Sequence, residues 1–210
     1  AGDIRLDWAD FIQKAYMNRI ALSSSGFYAT PNIYYDHAKG QGHPFLYYAN
    51  GAACSEVVLD TLTGEYRVLR TDILHDAGQS LNPEIDIGQI EGGFVQGMGW
   101  LTTEELVYSD QGRLLTTGPA TYKIPAVSDM PPDLRVNLLA NSPNKEATVF
   151  RSKAVGEPPL MLALSVWLAI RDAVARLGGG RKMPNLNAPA TPEAILNAVD
   201  NMRGAAAKTE

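Results

Sequence analysis

Hydrophobic and polar positions follow two periods along the chain, and the change from one to the other marks its elements. Over residues 7–20, Trp8, Phe11, Ile12, Ala15, Tyr16 and Arg19 recur at helical spacing. They predict a helix ended by the Ser23-Ser24-Ser25-Gly26 break. Residues 45–50 and 53–60 are rich in β-branched and aromatic side chains and read as strands. Thr63-Gly64 marks a hairpin turn, with residues 66–74 as the returning strand. Asn82 suits a helix N-cap and Pro83 the first helical position. A helix is therefore expected over residues 83–101, with Ile87, Ile90, Phe94, Met98 and Leu101 as its apolar stripe. Residues 105–109 and 113–115 predict a second hairpin across Asp110-Gln111-Gly112. Residues 134–139 and 148–153 read as two more strands. Residues 158–176 read as a long apolar helix stopped at Gly178. Thr191-Pro192-Glu193 starts a last helix after a surface linker over 180–189. Strands and helices come in groups, without regular alternation. The expected class is α+β, a mixed, largely antiparallel sheet with helices packed on one side.

Composition sharpens this by exclusion. The 210 residues are 45% hydrophobic and 20% charged, ordinary globular usage that excludes disordered, collagen-like and coiled-coil chains. Net charge is −5, so no basic footprint for a nucleic-acid partner exists. The one cysteine, Cys54, excludes an internal disulfide and points to a reducing, cytoplasmic compartment. The longest apolar run, 160–170, is broken only by Ser165. It falls short of the roughly 20 residues a membrane span needs, so a buried helix and no membrane partner are expected. The chain begins at Ala1 without methionine or signal peptide, which suggests a piece of something longer. The Ala-rich tail 204–210 is expected to be disordered, leaving 1–203 as the folded part.

Two segments are candidates for chemistry. The helix over 83–101 carries Gly88, Gly92, Gly93, Gly97 and Gly99, each worth about 1 kcal/mol of lost helix propensity relative to alanine. Either close packing against a neighbour or the approach of a bulky ligand, with Gln89 as its polar contact, would compensate. The pattern is neither GxGxxG nor a Walker loop. In the second segment, Lys153 to Leu160, Glu157 stands between Gly156 and Pro158-Pro159 at the mouth of an apolar helix. The helix dipole favours its anion, and burial against Leu160 and Met161 would favour its acid form. A general base working near neutral pH needs such a balance. A solvated carboxylate at a helix start is the plainer alternative. His37, His43 and His75 read as surface histidines. No HxH, HExxH or CxxC spacing occurs, so no protein-ligated metal is expected. Ser23 to Ser25 lack a nucleophile-elbow frame. Cys54, mid-strand, reads as a small buried hydrophobe. Asp72 and Asp76 are open to pairing as carboxylates or to capping a loop.

Beyond these readings, an ordered series of motifs resembles the molybdenum hydroxylases, the xanthine dehydrogenase and aldehyde oxidase family. It runs through Gly26-Phe27-Tyr28-Ala29-Thr30-Pro31-Asn32, Gly51-Ala52-Ala53-Cys54-Ser55-Glu56-Val57 and Ser80-Leu81-Asn82-Pro83. Asp86-Ile87-Gly88-Gln89-Ile90-Glu91-Gly92 follows, then Gly118 to Ala126, Ser142-Pro143-Asn144-Lys145 and Ser152 to Leu160, closing with Pro189 to Glu193. The Gly156-Glu157-Pro158-Pro159 form looks like the xanthine dehydrogenase branch.

The resemblance implies the C-terminal part of a molybdenum-cofactor-binding domain. It also implies hydroxylation of hypoxanthine and xanthine to urate, with water as oxygen source and NAD as electron acceptor. Other readings are a hydroxylase of aldehydes, carbon monoxide or N-heterocycles, or a piece acting only as a structural or interaction domain. Glu157 matches the family's active-site glutamate, the general base that deprotonates a metal-bound hydroxide. Gln89 matches a glutamine that contacts the pterin. Molybdenum would be held by the dithiolene of molybdopterin, shared with upstream segments. The 2Fe–2S and FAD centres would lie in other domains or subunits, which become expected partners beside the purine and the upstream segment. The family's cofactor loops and substrate-binding arginine lie upstream, so Arg70 and Arg151 are candidates by composition only. The isolated chain is expected neither to hold the cofactor nor to turn over xanthine.

Overall fold

The structure, a computed structural model, describes residues 5–206 except 181, in two compact units, Ala1–Leu46 and Tyr47–Glu210.

In the first unit, α1 (Trp8–Met17) stops three residues before the expected end. Asn18 Nδ2 donates to the Lys14 carbonyl at 2.7 Å, and Arg19 takes a left-handed φ of 56°. Only Ala15 of its stripe is buried. A short antiparallel hairpin follows, β1 (Tyr34–Asp36) and β2 (Gln41–His43), where the sequence suggested only a loop around His37 and His43. Asp36 Oδ1 accepts from the Ala38 and Lys39 amides, and Gly40 turns the chain at φ +61°.

In the second unit, β3 (Gly51–Leu59) and β4 (Tyr66–His75) pair antiparallel across the expected turn. There Gly64, at φ +74°, lies against the Pro192 carbonyl, leaving no room for a Cβ. β5 (Asp133–Leu138) lies parallel to β4 on its other side, so the sheet is mixed, in the order β3-β4-β5. The long β4–β5 connection carries α2 (Pro83–Thr102), the crossover that a parallel pair requires. Asn82 caps α2, accepting from the Ile85 amide, and Pro83 opens it. Residues 158–176 divide into a 3-10 segment, Pro158–Ala163, and α3 (Leu164–Arg176). α4 (Pro192–Ala206) is capped by Thr191, whose Oγ1 accepts from the Ala194 amide. It continues past Gly204, and residues 207–210 of the expected tail lie outside the described residues.

The core joins Val68 and Ile73 of β4, Ile90, Phe94 and Met98 of α2, Val166 and Ile170 of α3, and Ile195 and Val199 of α4. On β3, Ala53, Val57 and Leu59 pack on this core, while Cys54, Glu56 and Val58 are exposed on the other face. Cys54 is thus not the buried hydrophobe expected.

Three expected pairings fail for local reasons. Residues 45–50 form no strand; there the Tyr47 hydroxyl accepts from the Ala154 amide at 3.1 Å. The second hairpin shrinks to one bridge, Tyr108 to Leu114, beside Gly112 at φ +76°. Residues 148–153 cannot be a strand, because Phe150 and Arg151 are left-handed at φ 49° and 60°. They form the 3-10 turn Val149–Arg151, after which Ser152 bridges Gly78. The linker over 180–189 is not wholly surface: Leu186 is in the core.

Candidate functional site

Glu157 and Gln89 are 68 residues apart in sequence and come together where the 3-10 segment packs on α2. Glycines make the approach possible. A Cβ on Gly93 would lie 3.2 Å from Pro159 Cβ, and one on Gly97 would run into the Leu160 carbonyl. The chain before Pro158 is thereby held beside the first half of α2. A Cβ on Gly156 would be 3.5 Å from Gln89 Oε1.

The other two glycines on this part of α2 are open. Gly88 and Gly92 have no heavy atom within 4 Å of a Cβ position. The two explanations of the glycine-rich helix therefore apply to different residues. Gly93 and Gly97 serve close packing, whereas Gly88 and Gly92 leave a bare surface beside Gln89. Gln89, Gly92, Gly156 and Glu157 are all exposed.

Glu157 takes the N-cap position of the 3-10 segment, but its carboxylate caps nothing. Only its backbone is engaged, its carbonyl accepting from the Leu160 amide at 3.1 Å. Neither the Glu157 carboxylate nor the Gln89 amide hydrogen-bonds any described residue. The expected burial of Glu157 against Leu160 and Met161 is absent, since Glu157 is exposed. What the arrangement offers is an uncommitted acceptor and an uncommitted amide over a glycine surface. That suits a ligand presenting both donors and acceptors.

Neither arginine candidate joins them. Arg70 is held bidentately by Asp72 at 2.7 and 2.9 Å, and Arg151 Nη1 donates to the Lys145 carbonyl at 2.8 Å. Asp72 and Asp76 do not pair: Asp76 Oδ2 meets Lys153 Nζ at 2.5 Å, with side chains 5% and 12% exposed. Burial pushes the Asp76 carboxyl up, but hydrogen bonds from Lys153 and the Gly78 amide outweigh it and leave it below the usual carboxylate range. This contact spans 77 residues, and no sequence spacing announces it. His75, read as a surface residue, is 1% exposed. It ends a strand whose inward positions alternate with exposed Leu74, an alternation visible in the sequence.

Two cavities lie elsewhere. One of about 580 Å³ is lined by Phe11, Ile12, Ile20, Ser23 and Ser24, and one of about 430 Å³ by Leu106, Thr117, Tyr122 and Ile124. No three His, Cys, Asp or Glu side chains gather as a metal cluster among the described residues.

The molybdopterin cofactor-binding domain family matches residues 1–131. The chain is 53% identical over 197 residues to xanthine dehydrogenase/oxidase of Felis catus, covering 91% of this chain and 15% of that protein. It is 47% identical over 197 residues to aldehyde oxidase 1 of Oryctolagus cuniculus, covering 92% and 15%. Among solved structures it is similar to quinoline 2-oxidoreductase from Pseudomonas putida 86. That match has a TM-score of 0.63 and 33% identity, over 72% of this chain and 19% of that one. The chain spans about 15% of the length of the curated relatives it matches.

Proposed function

The chain belongs to the molybdopterin cofactor-binding domain family, and on that premise we propose that it is the C-terminal part of the molybdenum domain of a xanthine dehydrogenase. The whole enzyme would hydroxylate hypoxanthine and xanthine in the cytoplasm. Its electrons would leave through 2Fe–2S and FAD centres in other domains or subunits. The observation that carries this reading is the meeting of Gln89 with the Gly156-Glu157 turn beside bare Gly88 and Gly92.

The residues present fit the cofactor. Gly88 and Gly92 leave space for a flat, bulky group to approach the α2 backbone. The Gln89 amide, free of other partners, would hold the pterin by hydrogen bonds. When bound, molybdopterin supplies a metal centre that accepts two electrons from the substrate carbon.

The chain's own part is proton transfer. Glu157 would accept, at a carboxylate oxygen, the proton released as the attacking oxygen forms its bond to carbon. The carboxylate is exposed and hydrogen-bonds no described residue, so its oxygens are free to take up a proton.

In the molybdenum-loaded holoenzyme, Glu157→Gln should lower kcat by about 10²–10⁴-fold, the usual weight of a general base. Molybdenum content should not change. Steady-state xanthine turnover with metal analysis measures both, and unchanged turnover at full occupancy rejects the assignment. The similarity to an aldehyde oxidase favours a second reading, an aldehyde or N-heterocycle hydroxylase. Comparing xanthine with aldehydes and quinolines on the same enzyme separates the two.

A further inference from the structure

Glu157 hangs between two anchors of different kinds. Downstream, Pro159 and Leu160 sit against the glycines of α2. Upstream, the chain is stapled to the segment that follows β4. The Lys153 amide donates to the Ala77 carbonyl at 2.8 Å, and the Gln79 amide to the Arg151 carbonyl at 2.9 Å. Lys153 Nζ then closes on Asp76 Oδ2 at 2.5 Å in a nearly buried pair. Asp76 is itself oriented, because its Oδ1 accepts from the Gly78 amide at 2.9 Å. Between the anchors run only five residues, Ala154 to Pro158, and only Ala154, Val155 and Gly156 separate Lys153 from Glu157.

A buried ion pair is a weak source of net stability, since desolvation offsets the attraction. An apolar pair of similar volume would hold the two segments together as well. The ion pair adds direction: an N–H···O contact fixes where Lys153 sits along its neighbour, whereas apolar contacts tolerate sliding. Three residues separate Lys153 from Glu157, so a shift at one is passed to the other.

We propose that the Asp76–Lys153 pair is a positioning device for Glu157. It sets the register of residues 151–153 against 76–79, and so the place of Glu157, next in the chain to the Gly156 that lies by Gln89. The inference rests on the reading of Glu157 as proton acceptor. Neither Asp76 nor Lys153 is assigned any contact with cofactor or substrate.

The test uses the holoenzyme with the double variant Asp76→Leu/Lys153→Met, which replaces the pair by apolar side chains. Thermal midpoint and molybdenum content should stay at wild-type levels. Hydrogen exchange at the hydrogen-bonded amides of this junction, Gln79, Lys153 and Ala154, should quicken at least tenfold. kcat should fall about 10–100-fold, the scale of a misplacement near 1 Å, with KM within about twofold. Lys153→Arg should keep both exchange and kcat within about threefold of wild type. Unchanged exchange and kcat in a folded double variant overturn the proposal, as does an equal loss of exchange protection throughout the chain. Should the double variant not fold, Asp76→Glu carries the test by lengthening one arm. It should give the same local pattern at about threefold or more, and wild-type values overturn the proposal. Glu157→Gln in parallel keeps the two readings apart: if it leaves turnover intact, the base assignment falls while exchange at Gln79, Lys153 and Ala154 still reports on the pair.

Discussion

Neither ring nitrogen of His75 has a hydrogen-bond partner of good geometry among the described residues, and the side chain is buried. Burial pushes its pKa below the ordinary value near 6.5. The Ala154 backbone, Asp76 and Asp86 pull the other way, and Lys153 adds to the depression. Between the lowered pKa and about 6.5, the unfolded chain binds more protons at this site than the native one. Stability therefore rises with pH across that window, is complete above it, and is lost as pH falls through it. Asp76 does not interfere, because its depressed pKa puts its own loss of stabilisation below pH 4. His75→Met should be neutral or up to about 1 kcal/mol stabilising at pH 7.5, since it removes an unsatisfied buried group. It should also flatten the fall in thermal midpoint between pH 7.5 and 5.5. Calorimetry at both values checks this, and an unchanged slope counts against it. At this scale the sequence showed residue types but not surroundings. Glu157 and Gln89 stood out by their neighbours in the chain, whereas burial of His75 and exposure of Cys54 depend on which face of the sheet meets the helices.

In α2, local signals and packing meet in one element. Its cap, its proline start and its stripe through Ile90, Phe94 and Met98 were legible, because each lies within a few residues of its cause. Which glycine served packing was not legible, since the partners are Pro159, Leu160 and Ala163, more than 60 residues away. Gly97→Ala should destabilise the protein by about 1–3 kcal/mol despite better helix propensity, as the new methyl meets the Leu160 carbonyl and Ala163. Gly92→Ala should stabilise by up to about 1 kcal/mol, having open space around it. The same methyl should lower the molybdenum retained by the holoenzyme. Denaturant titration and metal analysis of the two variants test the contrast. Residues 148–153 show the opposite failure: their strand-like composition is overridden by the left-handed turn at Phe150 and Arg151, which brings Ser152 to Gly78.

At the scale of the whole molecule, the proposed site is an open surface. The chain covers about 15% of its relatives, and Gln89 and Glu157 face outward with nothing opposite them among the described residues. The isolated 210-residue chain should therefore carry well under about 0.1 molybdenum per chain on metal analysis; near one per chain would reject this. The amino-acid order alone determined the class of fold, the positions of most helices, the β3–β4 hairpin and the family. These follow from periodicity, caps and turns acting over a few residues, and from motif order. Tertiary structure decided that β5 runs parallel to β4, that Lys153 finds Asp76, and that Gln89 meets the Gly156-Glu157 turn. Such contacts join residues tens of positions apart, and only the packed core, by setting which faces touch, selects among them.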